Sequence, residues 1–197
     1  MKRYRVERVA VAAVVAGLAL AAGVAAAAVE TGPWSHGSQW ISVRAGYAKT
    51  AYGTAPDGLM GYRFGYSRMI TNRWSAGGYV HHEALGRFGS ATEVEVPLTV
   101  EMVRHFKWNS ALRPYLGLGG GVFYQKYYRT GDDFGATRSG GYAVGGANVP
   151  VDKHHLLGLD VRMALVNGER DRLNPVFGLI KPQEKQWSIK INWSLVY

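Results

Sequence analysis

The chain has 197 residues, a length typical of one domain, and a formal net charge of +9. It contains no cysteine, which excludes disulfide bonds and thiolate metal sites. Hydrophobic residues make up 47% of the chain, although its mean hydropathy is −0.12. Such a balance is expected where apolar and polar residues alternate along strands, because the two faces offset each other in the average.

Residues 1–28 have the pattern of a secretory signal peptide. Basic residues at positions 2, 3, 5 and 8 precede an apolar run over 9–29, and alanines at 26–28 suit a cleavage site. We expect cleavage after residue 28, leaving one mature domain over 29–197. An uncleaved membrane helix is the alternative, because the run is long enough to span a bilayer. An exported chain does not routinely meet nucleic acid, so the basic charge favours an anionic lipid surface as its counterpart.

Eight segments of the mature chain have the composition or the two-residue period of a strand. In chain order they are 40–48, 59–68, 74–82, 92–106, 113–128, 139–149, 154–166 and 187–197. The alternation of the third segment is too weak to decide which residues face inward. Eight strands are the minimum for a membrane barrel. The predicted fold class is therefore all-β, an eight-stranded antiparallel transmembrane β-barrel preceded by a cleaved signal peptide.

Charged side chains fall on the polar face of these strands, where they would point into the lumen. They are Arg44, Arg63, Glu93, Glu95, Glu101, Asp160, Arg162 and Lys190. An eight-stranded interior is just wide enough for side chains to fill, and buried charges must pair to offset desolvation. We therefore expect a charge network that joins the three glutamates to some of the bases and plugs the lumen. A selective pore is the alternative interpretation.

The connections between the predicted strands alternate in length. Those over 69–73, 107–112 and 150–153 are short, whereas those over 48–58, 83–91, 129–138 and 167–185 are longer and polar. Outer-membrane barrels have short periplasmic turns and long outer loops. With an even number of strands, both termini are then expected on the periplasmic side. Pro97 lies in the fourth strand and cannot donate to the ladder, so a bulge is expected there.

The last strand alternates without interruption and includes Trp193, Leu195 and Tyr197. With the Arg-Pro-Tyr-Leu-Gly-Leu-Gly-Gly-Gly segment at 113–121, it resembles the small eight-stranded outer-membrane proteins. These include the transmembrane domain of the outer membrane protein A family and the outer membrane protein β-barrel domain. The resemblance implies an integral outer-membrane protein, a monomer without a cofactor, in contact with outer-membrane lipids and lipopolysaccharide. It also implies that the barrel assembly machinery reads Trp193, Leu195 and Tyr197 as an assembly signal.

The resemblance implies a non-enzymatic role in envelope integrity or surface binding. One alternative is a lipid A-modifying enzyme at the outer rim. The deacylase relatives carry His-x-Ser-Asn, of which only Asn167 has a counterpart here, so that nucleophile is missing. A palmitoyltransferase-like site would draw on His81, His82, Glu83 and Ser90. The other alternative is a narrow channel for small or apolar solutes.

Two histidine pairs are candidate metal ligands, His81–His82 and His154–His155. Neighbouring residues of one strand point to opposite faces, so neither pair can share one ion. The sequence therefore predicts no metal site. The glycines of 117–121 are not followed by Gly-Lys-Ser/Thr, so a phosphate-binding loop is not predicted either.

Overall fold

A computed structural model shows a closed barrel of eight antiparallel strands, each paired with its neighbours in the chain, and β1 with β8. The structure describes residues 32–50, 58–88, 91–107, 112–129, 132–167 and 183–197. The strands are β1 (Gln39–Thr50), β2 (Leu59–Thr71), β3 (Trp74–Phe88), β4 (Ala91–His105), β5 (Arg113–Arg129), β6 (Asp132–Pro150), β7 (His155–Asn167) and β8 (Gln183–Val196). The predicted fold class is confirmed. The predicted signal peptide lies outside the described residues.

The barrel has two ends. We call the end with the connections β2–β3, β4–β5 and β6–β7 the turn end, and the opposite one the loop end. The predicted long loops at 83–91 and 129–138 are wrong, because β3 continues to Phe88, β4 begins at Ala91, β5 continues to Arg129 and β6 begins at Asp132. A strand needs only ~9–11 residues to cross a bilayer. The 17 residues of β5 and 19 of β6 are therefore long enough for this hairpin to project beyond it. None of the described residues belongs to a helix long and apolar enough to span a membrane.

The predicted alternation is confirmed on the strands where it was assigned. On β2, for example, Tyr62, Phe64 and Tyr66 are exposed on the outside, whereas Arg63 is buried. The structure also decides the facing of β3, whose odd-numbered residues from Ser75 to Glu83 point inward. The weak sequence signal on this strand arises because its inward set mixes small, aromatic and charged residues.

The predicted bulge at Pro97 is wrong. β4 keeps one register against β5 through Pro97, and its register against β3 is the same at Leu98 and at Glu95. The Pro97 ring therefore removes one backbone N–H donor from the ladder, but it does not add a residue to β4. The irregularity lies on the neighbouring strand, where the register shifts between Ala84 and Gly86. Leu85 is the extra residue, and its side chain is fully buried.

Several inward glycines make room for tyrosine rings across the ladder. Gly65 pairs with Tyr79 and Gly119 pairs with Tyr142. A Cβ atom at either glycine would overlap the facing ring. Both rings occupy the space beside these glycines and lie next to charged groups of the lumen.

Residues 32–38 fold across the turn end and form what we call the cap. Trp34 packs in a buried apolar cluster with Trp40, Met69, Leu156 and Val196. The cap is tied to the β2–β3 turn region by hydrogen bonds from Gly37 N to Met69 O (2.9 Å) and from Met69 N to Ser38 O (2.9 Å). The indole of Trp34 also lies under the Arg113 guanidinium, 4.7 Å from its carbon. Apolar side chains thus cover the lumen at this end.

Candidate functional site: the charged lumen

All eight charged residues that the alternation predicts to face inward are buried in the lumen. Sequence reasoning missed a further acid, Glu83, because the sequence predicts a loop over 83–91. It lies on β3 and is fully buried. The signal that could have identified Glu83 is the two-residue period of Tyr79, His81 and Glu83, which share the inward face of β3. The charges form three groups at different levels of the barrel.

The turn-side cluster consists of Arg44, Arg63, Glu101 and Asp160. Arg44 Nη1 donates to Asp160 Oδ2 at 2.5 Å, and Arg63 Nη2 donates to Glu101 Oε2 at 2.5 Å. Arg44 also lies 3.9 Å from Glu101 Oε1, so the two pairs are joined. The tyrosine rings support them: the Arg63 guanidinium carbon is 3.7 Å from the Tyr79 ring centroid. Two cations and two anions thus neutralise each other in a buried site.

The loop-side cluster is centred on Glu83. Arg162 Nη2 donates to both of its oxygens, at 2.6 and 2.7 Å, and Lys190 Nζ donates to Oε1 at 2.8 Å. His81 Nδ1 lies 3.2 Å from the same oxygen, and its Nε2 lies 2.9 Å from Thr99 Oγ1. One carboxylate therefore accepts hydrogen bonds from two cations. Glu83 thus joins side chains from β7 and β8 to β3 in one buried cluster.

Glu93 and Glu95 lie further toward the loop end, where their contacts include glutamine amides. Gln125 Nε2 donates to Glu93, and Gln186 Nε2 donates to Glu95 Oε2 at 2.8 Å. Among the three glutamates predicted to pair with bases, Glu101 forms ion pairs with Arg44 and Arg63. Arg162 and Lys190 instead bind Glu83, a residue that the sequence predicts to lie in a loop.

These contacts cross the barrel from wall to wall. β3 and β7 are separated by β4, β5 and β6 on one side and by β8, β1 and β2 on the other, so Glu83 and Arg162 come from opposite strands. Glu95 and Gln186 likewise join the opposite strands β4 and β8. Near Arg44, Tyr79 and His105 lies a polar cavity of about 10 Å³, which is about the minimum volume that can hold one water molecule. Side chains bonded between facing walls therefore cross the lumen at those levels.

The candidate residues for rim catalysis are not brought together at a rim. His81 and Glu83 point into the lumen, whereas His82 on the same strand is exposed on the outside. Ser90 lies outside the described residues. Asn167 is exposed at the end of β7 and donates to Ser139 Oγ at 3.1 Å. Within the described ranges, no group of three histidine, aspartate or glutamate side chains is placed to hold a metal ion.

The residues predicted as an assembly signal lie along the seam that closes the barrel. Trp193 and Tyr197 are exposed on the outer face, and Leu195 is half-buried. Trp193 pairs with Val43 of β1, and Tyr197 exchanges backbone hydrogen bonds with Gln39. In the folded barrel these side chains belong to the outer surface and do not contribute to the lumen clusters.

No model of a known protein family matches the sequence, and no curated protein matches it. Among solved structures, the chain is similar to Neisserial surface protein A, with a TM-score of 0.66 and 14% identity over 81% of this chain and 99% of that one. It is similar to the attachment invasion locus protein Ail of Yersinia pestis (TM-score 0.56, 13% identity, 82% and 99% covered). It is also similar to the N-terminal β-barrel domain of Pseudomonas aeruginosa OprF (TM-score 0.57, 10% identity, 82% and 98% covered). At this identity the likeness concerns the fold: the chain has the fold of the small eight-stranded outer-membrane β-barrels.

Proposed function

We propose that this chain is an integral outer-membrane protein without enzymatic activity, whose closed lumen makes it a structural element of the envelope. The observation that carries the proposal is the pair of hydrogen bonds from Arg162 to Glu83, which joins opposite walls of the barrel. Buried ion pairs of this kind tie strands together but leave no path for a solute. The exposed apolar outer face, which includes Phe64, Leu98 and Leu118, is suited to lipid.

The difference between the two ends of the barrel supports one orientation in the membrane. We infer that the turn end lies in the periplasm and the loop end faces outward, as is general for this architecture. At the loop end, Lys49 pairs with Trp187 across the β1–β8 seam, and Lys185 lies on the same outer face. Cations beside an interfacial aromatic ring suit the phosphates of lipopolysaccharide, which we propose as the lipid partner there.

Closure of the lumen is tested by conductance. The purified wild-type barrel, inserted in a planar bilayer, is expected to give no unitary current steps. Glu83→Ala removes the carboxylate that Arg162 and Lys190 contact, so it is expected to open the lumen there and serves as the positive comparison. The outward variant Val80→Ala is the matched control. Regular steps from the wild-type protein would overturn the closed-lumen proposal and favour the channel.

Orientation can be tested with single cysteines, because the natural chain has none. In intact cells, a membrane-impermeant maleimide is expected to label Gly135→Cys on the β5–β6 hairpin but not Lys153→Cys in the β6–β7 turn. Labelling of the turn-end cysteine alone would reverse the proposed orientation.

The structural role predicts that cells lacking the protein become sensitive to detergent while the mass spectrum of their lipid A stays the same. A changed lipid A would favour the enzyme alternative.

Surface binding is a second candidate function, and the length of the β5–β6 hairpin favours it. Tyr128, near the tip of this hairpin, has an exposed side chain that a partner at the loop end could contact. Two neighbours in fold are named as a surface protein and an attachment protein. Shortening the hairpin by matched residues from both strands should leave the barrel folded but abolish any surface binding that it mediates.

A further inference from the structure

An apolar groove of about 680 Å³ runs along the outer wall over β5, β6 and β7. Its size falls within the roughly 300–1,000 Å³ typical of small-molecule sites. The outward-facing residues that line it are Phe106, Pro114, Leu116, Ala143, Gly145, Val161 and Met163. The groove therefore belongs to the lipid-facing surface and is separate from the charged lumen.

The strand register explains why the wall is hollow here. On β6, Gly145 lies between Leu116 of β5 and Val161 of β7. One step further along the same face, Ala143 lies between Leu118 and Met163. β6 thus provides a floor of small residues, and its neighbours provide walls that stand above it. Leu118 and Met163, at 70% and 68% exposed, are among the most exposed large apolar residues of the barrel.

A cation lies beside the turn-end limit of this groove. Arg104 of β4 faces outward and pairs with Leu116, one of the wall residues. Its guanidinium carbon is 5.3 Å from the ring centroid of Phe106, which lines the groove, and 5.8 Å from that of Trp74. The two rings hold the cation at the outer surface. Strands are ~4.8 Å apart, so the floor at Gly145 lies two strands from Arg104, within the span of one lipid molecule.

We propose that this surface is a binding site for one phospholipid of the periplasmic leaflet, with an acyl chain in the groove and the phosphate at Arg104. The site rests on the proposed function, since it requires the turn end to lie in that leaflet. A smooth apolar tail matches a groove with apolar walls, and a cation at an interface attracts an anionic headgroup. The rings of Trp74 and Phe106 lie where aromatic side chains meet the polar part of a bilayer.

A second copy of the chain fits this surface less well. Two copies in one membrane are related by an axis along the membrane normal, so both Arg104 residues would lie at the same depth beside the contact. Like charges at short range oppose association. A phospholipid supplies the opposite charge and the apolar tail in one molecule.

The test is native mass spectrometry of the full barrel released from non-ionic detergent containing phosphatidylglycerol. The wild-type protein is expected to keep one bound lipid at collision energies that strip all other lipids and detergent from it. Arg104→Gln should lower the affinity about fivefold, the effect of removing one interfacial cation. Ala143→Phe should remove the retained lipid by filling the groove. Gly145→Leu serves as a second filling variant, because a Cβ there meets the mobile end of Leu116.

Matched controls lie on the same outer face away from the groove. Ala45→Phe on β1 adds the same ring, and Arg68→Gln removes a cation from the turn end of β2, so both should retain the lipid like the wild type. Equal retention by folded wild type, variants and controls would overturn the site while leaving the membrane barrel intact. A lipid-free dimer that Ala143→Phe disrupts would assign the groove to a second copy. Failure of the wild-type chain to fold in detergent would overturn the barrel and the site together.

Discussion

The inner and outer faces of the same strands are specified in different ways. On β3, Glu83 points inward and contacts Arg162 and Lys190, whereas Val80 is exposed on the outside. Inside, the charged side chains of the two clusters have specific partners at hydrogen-bond distance. Over most of the outer face, a side chain needs only to be apolar, because lipid adapts to its shape. Stability should therefore depend on single residues inside and on average composition outside.

The largest effect is expected for Glu83→Ala. It leaves Arg162 and Lys190 buried without their shared carboxylate, and breaking a buried pair typically costs ~3–5 kcal/mol. The urea midpoint of unfolding in detergent should fall sharply, while the outward control Val80→Ala changes it little. Equal midpoints for these two variants would show that the inner face is no more specific than the outer one.

A smaller loss is expected for Glu101→Ala in the turn-side cluster. Arg63 keeps the Tyr79 ring at 3.7 Å and Arg44 keeps Asp160 at 2.5 Å, so part of each cation's environment survives. An unsatisfied buried donor costs ~1–3 kcal/mol. The same urea titration, with Met102→Ala as the outward control, measures the loss. A loss greater than that of Glu83→Ala would reverse the ranking of the two clusters.

A local effect is expected for Trp34→Ala. The variant removes the apolar contact that holds the cap, which is outside the strand ladder, so the cap should open without the barrel. Hydrogen exchange at the Gly37 amide, which donates to Met69 O, should become faster while the β-strand amides are unchanged. The control is Trp74→Ala on the outer face. Faster exchange throughout the strands would mean that the cap stabilises the whole barrel.

The smallest effect concerns the exposed β6–β7 turn. Hydrogen bonds from the His155 side chain and from the backbone amides of His154 and His155 lower the pKa of Asp152. A lowered pKa means that the charged form stabilises the fold above the unfolded value of about 3.9 and that this contribution is lost in acid. The stability advantage of wild type over Asp152→Asn should be constant near neutral pH and vanish as the pH falls through the folded pKa. An advantage that grows in acid would contradict this origin.

The sequence predicted the barrel well because its evidence is local. Alternation on segments such as 92–106 identifies both the strand and its inward set, and the structure confirms this assignment for β4. Polar composition was a poor guide to strand limits, since β3 and β6 include residues that looked like loops. Hairpins that project beyond the bilayer need no apolar face, so their alternation disappears while their backbone pairing continues.

The sequence by itself determined the number of strands, the face of most side chains and the charged character of the lumen. A strand has a period of two whatever its neighbours are, so these properties depend on nearby residues only. The tertiary structure decided which charges meet: Glu83 binds Arg162 and Lys190 from 79 and 107 residues away. It also placed the bulge at Leu85, the cap over the turn end and the groove beside Arg104. Such features depend on the register and closure of the whole sheet, which bring together residues that no local pattern relates.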